Sequence, residues 1–163
     1  MISKLPIGGL KLSPELVQIN LAAETASAVI AIFERLAQHR INLTCVTLTT
    51  TDPGVMGSCT LTTESWPQAE PLLQNAQARI ETIPGVGTLT LFPHQSRLAL
   101  LECVLNAFGR AGLPIHSIAS SLSTLTFCID YHRIDDALRA IETIARLPDN
   151  HTPALPQWRI RQM

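Results

Sequence analysis

Several features common in catalytic and nucleic-acid-binding proteins are scarce in this chain. Aromatic residues make up 4% and charged residues 15% of the 163 positions. With 12 Lys plus Arg against 13 Asp plus Glu, the formal net charge is −1 and no basic run occurs, which argues against a broad nucleic-acid surface. No window reaches the roughly 18 consecutive apolar residues that a membrane span needs. Met1–Leu12 lacks the apolar stretch of a secretory signal, so a soluble, cytoplasmic protein is expected. No Gly-x-Gly-x-x-Gly, P-loop or nucleophile elbow is present. The four cysteines, Cys45, Cys59, Cys103 and Cys128, form no CxxC pair and have no histidine at metal-ligand spacing. They are expected to be reduced, buried and hydrophobic in behaviour.

What the chain does have is 46% hydrophobic residues, enough to exclude general disorder, arranged with alternating periods. Val17, Ile19 and Leu21 alternate with Gln18 and Asn20, predicting a half-buried strand over Leu16–Leu21. Thr25 or Ser27 can cap a helix with the stripe Val29, Ile32, Phe33 and Leu36, ending near Arg40. Leu43–Thr50 reads as a strand, Asp52-Pro53-Gly54 as a turn, and Ser58–Thr63 as the returning strand. Pro67–Arg79 reads as a helix capped by Ser65, with Ala69, Leu72, Leu73, Ala76 and Ile80 along one face.

The order then begins again. Pro84-Gly85 marks a turn and Thr88–Phe92 a strand. Ser96 can cap a helix with the stripe Leu101, Val104, Leu105 and Phe108, which Gly112 ends in a left-handed conformation. Ile115–Ser120 and Thr124–Asp130 form a strand pair. Asp135 is placed as the cap of a last helix with Ile134, Ala137, Leu138, Ile141 and Ala145 on one face, and Trp158–Arg161 as a terminal strand. The echo is direct: Phe33-Glu34-Arg35-Leu36-Ala37 through Ile41-Asn42-Leu43 parallels Leu105-Asn106-Ala107-Phe108 through Leu113-Pro114-Ile115. The fold class expected is α+β: two ferredoxin-like βαββαβ units in tandem, each an antiparallel sheet with helices on one face. The units are placed at residues 14–83 and 84–163, and residues 7–12 are a candidate strand pairing with the second.

Reactive groups are scattered. The five histidines sit in different elements and read as solvated or singly bonded; His94, in a strand-to-helix loop, is the one a small ligand could reach. Asp135-Asp136 reads as a helix cap rather than an acid/base pair, and Trp66 and Trp158 as packing anchors. The loop Ala22–Ser27 has no metal-binding cysteine, and the central strands lack the aromatics of an RNA-binding sheet. No cofactor, metal or catalytic residue is expected. The mouths between first strand and first helix remain, where free helix N–H groups and a positive dipole end suit a carboxylate. They present Glu24-Thr25-Ala26-Ser27 in the first unit and His94-Gln95-Ser96-Arg97 in the second. Arg97 reads either as a bidentate carboxylate partner or as a solvated first-turn residue.

The chain resembles the tandem ACT domains that form the regulatory half of aspartokinase, or the separate regulatory subunit some bacteria make. The resemblance is carried by Ile32-Phe33-Glu34-Arg35-Leu36-Ala37 with Ile41-Asn42-Leu43, and by Gly112-Leu113-Pro114-Ile115-His116-Ser117-Ile118-Ala119-Ser120-Ser121. It continues through Leu125–Asp130 and Ile134–Ile141 and spans about residues 7 to 161. It implies a protein that is not an enzyme: an allosteric sensor, acting on its own as a regulatory chain. Such domains bind end-product amino acids such as lysine or threonine, pair as a homodimer, and shift a partner enzyme of amino-acid biosynthesis between states. The ligand positions so implied are Ala23, Glu24, Thr25, Ala26, Ser27 and Asn42 in the first unit, and Gln95, Ser96, Arg97, Leu98 and Ala99 in the second. Where the family usually carries Pro-Gly, this chain has Ala26-Ser27 and Leu98-Ala99, which points alternatively to an assembly subunit that has lost ligand binding.

Overall fold

A computed structural model describes residues 4–93 and 97–147. The expectations for His94, Gln95, Ser96, His151 and the Trp158–Arg161 strand lie outside them. The chain divides into two compact units, Glu15–Val86 and the described residues of Met1–Pro14 with those of Gly87–Met163.

In the unit Glu15–Val86, strands β3 (Leu16–Ala23), β4 (Cys45–Thr51), β5 (Gly54–Thr62) and the first part of β6 (Arg79–Phe92) alternate with helices α1 (Ala26–Gln38) and α2 (Trp66–Leu73). The sheet order is β4-β5-β3-β6, every pair antiparallel, the ferredoxin-like arrangement. Ile19, Leu21 and Cys59 on the sheet pack against Val29, Ile32, Leu36, Ala69 and Leu73 on the helices. The first half of β3 is buried on both faces. Gln18, expected on the solvent side, is 1% exposed, hemmed by its cross-strand neighbours Thr60 and Ile83, and donates to Asn20 Oδ1 at 2.7 Å.

Two expectations fail here. The helix read over Pro67–Arg79 stops at Leu73, and Ile80 lies on β6 opposite Leu21; ladder bonding with β3 captures residues that also fit a helical stripe. Pro84-Gly85 does not turn the chain. It is a bulge within β6, with Gly85 at φ +68° and a register shift against β3 between Leu16 and Gln18.

The other unit contains the rest of β6, α3 (Leu98–Arg110), β7 (Ile115–Ser120), β8 (Leu125–Asp130) and α4 (Ile134–Ile144). Its strand order is β6-β8-β7. The place on the other side of β6 is taken by β2 (Gly9–Leu12), antiparallel from Gly9 opposite Phe92 to Leu12 opposite Leu89. β1 (Leu5–Pro6) pairs in parallel with β9 (Ala145–Arg146), so Ala145 leaves the helix that its periodicity suggested. The α3 stripe is Leu100, Val104 and Phe108; it keeps Val104 and Phe108 of the expected face, with Leu101 partly buried beside them, but takes in Leu100 and leaves Leu105 40% exposed. Phe108 meets Phe127 edge to face at 5.4 Å. Arg133, not Asp135, holds the N-cap position of α4, after a 3₁₀ turn at Tyr131–Arg133. Asp135 sits inside the first turn, where its charge complements the helix dipole.

The first helix of each unit ends in the same way. Ile41 N–H donates to Leu36 O and Arg40 N–H to Ala37 O; Leu113 N–H donates to Phe108 O and Gly112 N–H to Gly109 O. Both are Schellman closures, with Arg40 at φ +57° and Gly112 at +60°.

Candidate functional site

At the carboxyl end of β3 the chain leaves the sheet through Glu24 and Thr25 and enters α1. Thr25 stands at the N-cap position with extended backbone, and its side chain makes no cap bond. Its hydroxyl pairs instead with Ser27 Oγ at 2.9 Å, so no side chain from the N-cap takes up the first-turn N–H groups. The β4–β5 hairpin tip packs beneath this loop. Gly54 has φ +106°, and a Cβ there would lie 2.2 Å from Ala23 O and 3.1 Å from Glu24 Cα. Only glycine permits that approach.

Between loop, hairpin tip and the start of β6 lies an open cleft of about 660 Å³, lined by Ala22, Ala23, Glu24, Thr25, Ala28, Thr51, Pro53, Val55, Met56, Gln77, Ala78 and Arg79. Register explains its floor. Ala22 faces Met56 on β5 and Arg79 on β6, so these three side chains form one row across the sheet. Glu24 and Arg79 are the charged residues of the lining, and neither side chain has an ion-pair partner among the described residues. A carboxylate, a guanidinium, two threonine hydroxyls and an amide over an apolar floor suit a small zwitterion. A neighbouring hollow of about 470 Å³ shares Ala22, Met56 and Arg79 and adds Asn20, Thr47, Thr49, Ser58 and Glu81.

Of the residues implied by resemblance, Ala23, Glu24 and Thr25 line the cleft. Ala26 and Ser27 open α1 beside it, exposed, and Asn42 is exposed between α1 and β4, away from the lining. In the other unit, Arg97 holds the N-cap position of α3, Leu98 is 76% exposed, and Ala99 is exposed; Gln95 and Ser96 lie outside the described residues. The sequence reading missed Arg79, Gln77, Thr51 and Met56. Arg79 was read as the end of a helix; the βαββαβ order, which sets the last strand beside the first, is the signal that could have placed it.

Elsewhere, His116 occupies a bulge in β7 and meets Asp130 at 2.7 Å. Cys45 and Cys103 are half-buried, whereas Cys59 and Cys128 are buried as expected, and none of the four forms a disulfide. Burial, with a smaller contribution from neighbouring Cys45, pushes the Cys59 thiol up to about 12. Hydrogen bonds from Arg133 and then Arg139 hold the Asp136 carboxyl below its ordinary range. Among the described residues no group of three His, Cys, Asp or Glu could hold a metal ion, and no helix is long and apolar enough to cross a membrane.

Neither a family model nor any curated protein matches the sequence. Solved structures do match the fold. The regulatory subunit of aspartate kinase from Thermus thermophilus, ligand-free, superposes with a TM-score of 0.75 at 17% identity, over 86% of this chain and 99% of that one. The Thermus flavus regulatory subunit gives 0.73 at 19%, over 85% and 97%. Aspartate kinase from Synechocystis gives 0.76 at 18%, over 94% of this chain and 29% of that longer one. The chain therefore has the fold of these regulatory regions.

Proposed function

We propose that this chain is a non-catalytic regulatory protein of the tandem ACT type, which binds a small amino acid or a related metabolite and transmits the bound state to a partner enzyme of amino-acid biosynthesis. The observation that carries the reading is the cleft at the end of β3, where Glu24 and Arg79 bring opposite, unpaired charges to one small-residue floor. The fold likeness to the regulatory subunits and regions of aspartate kinase supports it.

The mechanism is a population shift. A ligand in the cleft ties together the Glu24–Thr25 loop, the Pro53–Val55 hairpin tip and the Gln77–Arg79 entry to β6. It thereby stabilises whichever arrangement holds those three segments at their bound spacing, and the partner responds to that arrangement. A symmetric homodimer fits β4, which is terminal in its sheet and exposes Val46 and Leu48 at 46% and 47%.

A thermal-shift screen of the twenty amino acids tests the reading. Ligand at about 100 times its dissociation constant contributes ~2.7 kcal/mol, which raises the melting temperature of a chain this long by about 5–10 °C. A folded protein that no amino acid stabilises at millimolar concentration would overturn the sensor reading. It would leave the assembly role that Ala26-Ser27 and Leu98-Ala99, in place of Pro-Gly, already favour.

A further inference from the structure

Resting on that reading, we infer that the cleft selects free α-amino acids with an aliphatic or thioether side chain, Arg79 receiving the carboxylate and Glu24 the ammonium group. Arg79 is the specificity residue and comes from β6 rather than from the loop. It stands in the Met56–Ala22–Arg79 row of the sheet, on a strand anchored by ladder bonds, so its guanidinium starts from a fixed base and can grip a carboxylate with two parallel bonds. Glu24 projects from the loop that Gly54 props from below. Each is exposed and without an ion-pair partner among the described residues, and both line the same hollow.

The remaining lining decides the side chain. Once Glu24 is committed to the α-ammonium, no other carboxylate lines this cleft to receive a second one, since Glu81 opens onto the neighbouring hollow. Exposed Pro53 and Met56, with half-buried Ala22 and Ala78, offer apolar surface, which an aliphatic or thioether group covers with gain. A lysine ammonium placed there finds no second carboxylate and covers the apolar lining with less gain.

The test is calorimetric titration of the full chain with leucine, methionine, lysine and threonine, and with leucinamide and N-acetyl-leucine, which lack one charge each. Leucine or methionine is expected to bind, with both charge-deleted analogues and lysine weaker by about tenfold or more. Arg79→Gln removes the preference for leucine over leucinamide, Arg79→Lys retains part of it, and Glu24→Gln removes the preference for leucine over N-acetyl-leucine. Preference for lysine or threonine, leucinamide binding as well as leucine, or discrimination unchanged in folded Arg79 variants would overturn this assignment while leaving an amino-acid sensor intact. Binding of no amino acid at all would overturn the functional reading with it.

Discussion

Arg40 and Gly112 close equivalent helices with the same pair of hydrogen bonds, yet only one of them is a glycine. At φ +57° the arginine Cβ crowds its own carbonyl, a cost of roughly 1–2 kcal/mol that glycine avoids, partly offset by glycine's greater freedom when unfolded. Arg40→Gly is therefore expected to stabilise the protein by about 0.5–1 kcal/mol in chemical denaturation. Gly54 is the opposite case. Its Cβ would meet the Ala23 carbonyl at 2.2 Å, and its φ is +106°, so Gly54→Ala combines backbone strain with a clash against main chain. A loss of about 2–4 kcal/mol is expected, with ligand binding reduced further than stability because the displaced atoms belong to the Glu24 loop. A comparison of unfolding curves with titrations of the folded variant separates the two effects. The turn at Asp52-Pro53-Gly54 and the left-handed Gly112 were legible from residue chemistry alone, because only a few side chains suit such backbone angles.

Helices and strands were legible in kind and less so in extent. Apolar periodicity places α1, α3 and α4, but it centres the α3 stripe too far toward Leu105 and away from Leu100 and runs α2 through to Arg79. A stripe such as Ala76 and Ile80 satisfies helical spacing, while residues 79–83 satisfy strand spacing equally well. The choice falls to the ladder with β3, which local pattern does not contain. Packing of α3 and α4 was likewise hidden. Arg133, at the head of α4, donates to the carbonyls of Ala111 and Gly112 at the end of α3 and to Asp136. One side chain thus satisfies the end of one helix and the start of the next. Arg133→Ala is expected to cost about 1–2 kcal/mol, measured by thermal or urea unfolding. A change within a few tenths would mean that water replaces these bonds without penalty.

For the molecule as a whole, apolar residues between Leu5 and Leu12 belong to the core of the unit that contains Gly87 onward. Ile7 is buried against Leu89, Leu91 and Phe127, with Leu5, Leu10 and Leu12 packed beside it, and β2 completes the sheet along β6. Deleting residues 1–13 removes that strand and uncovers apolar surface, a loss on the order of 4–6 kcal/mol. Hydrogen exchange followed by mass spectrometry is expected to show lost protection in α3, β8 and α4, with α1 and β5 of the other unit retaining theirs. Equal loss in both units would contradict the division at Val86.

Period-two and period-3.6 patterns, turn residues and an internal echo were enough to set the fold class, the duplication and the mouth at the end of β3. Each is a local preference expressed within a few residues, so it survives without knowledge of neighbours. The register of Gly9–Leu12 on β6, the bulge at Gly85, the end of α2, and above all the placing of Arg79 in one cleft with Glu24 and Met56 arose only on folding. Those depend on strand register between residues far apart in the chain, where a shift of one position turns a side chain from one face of the sheet to the other.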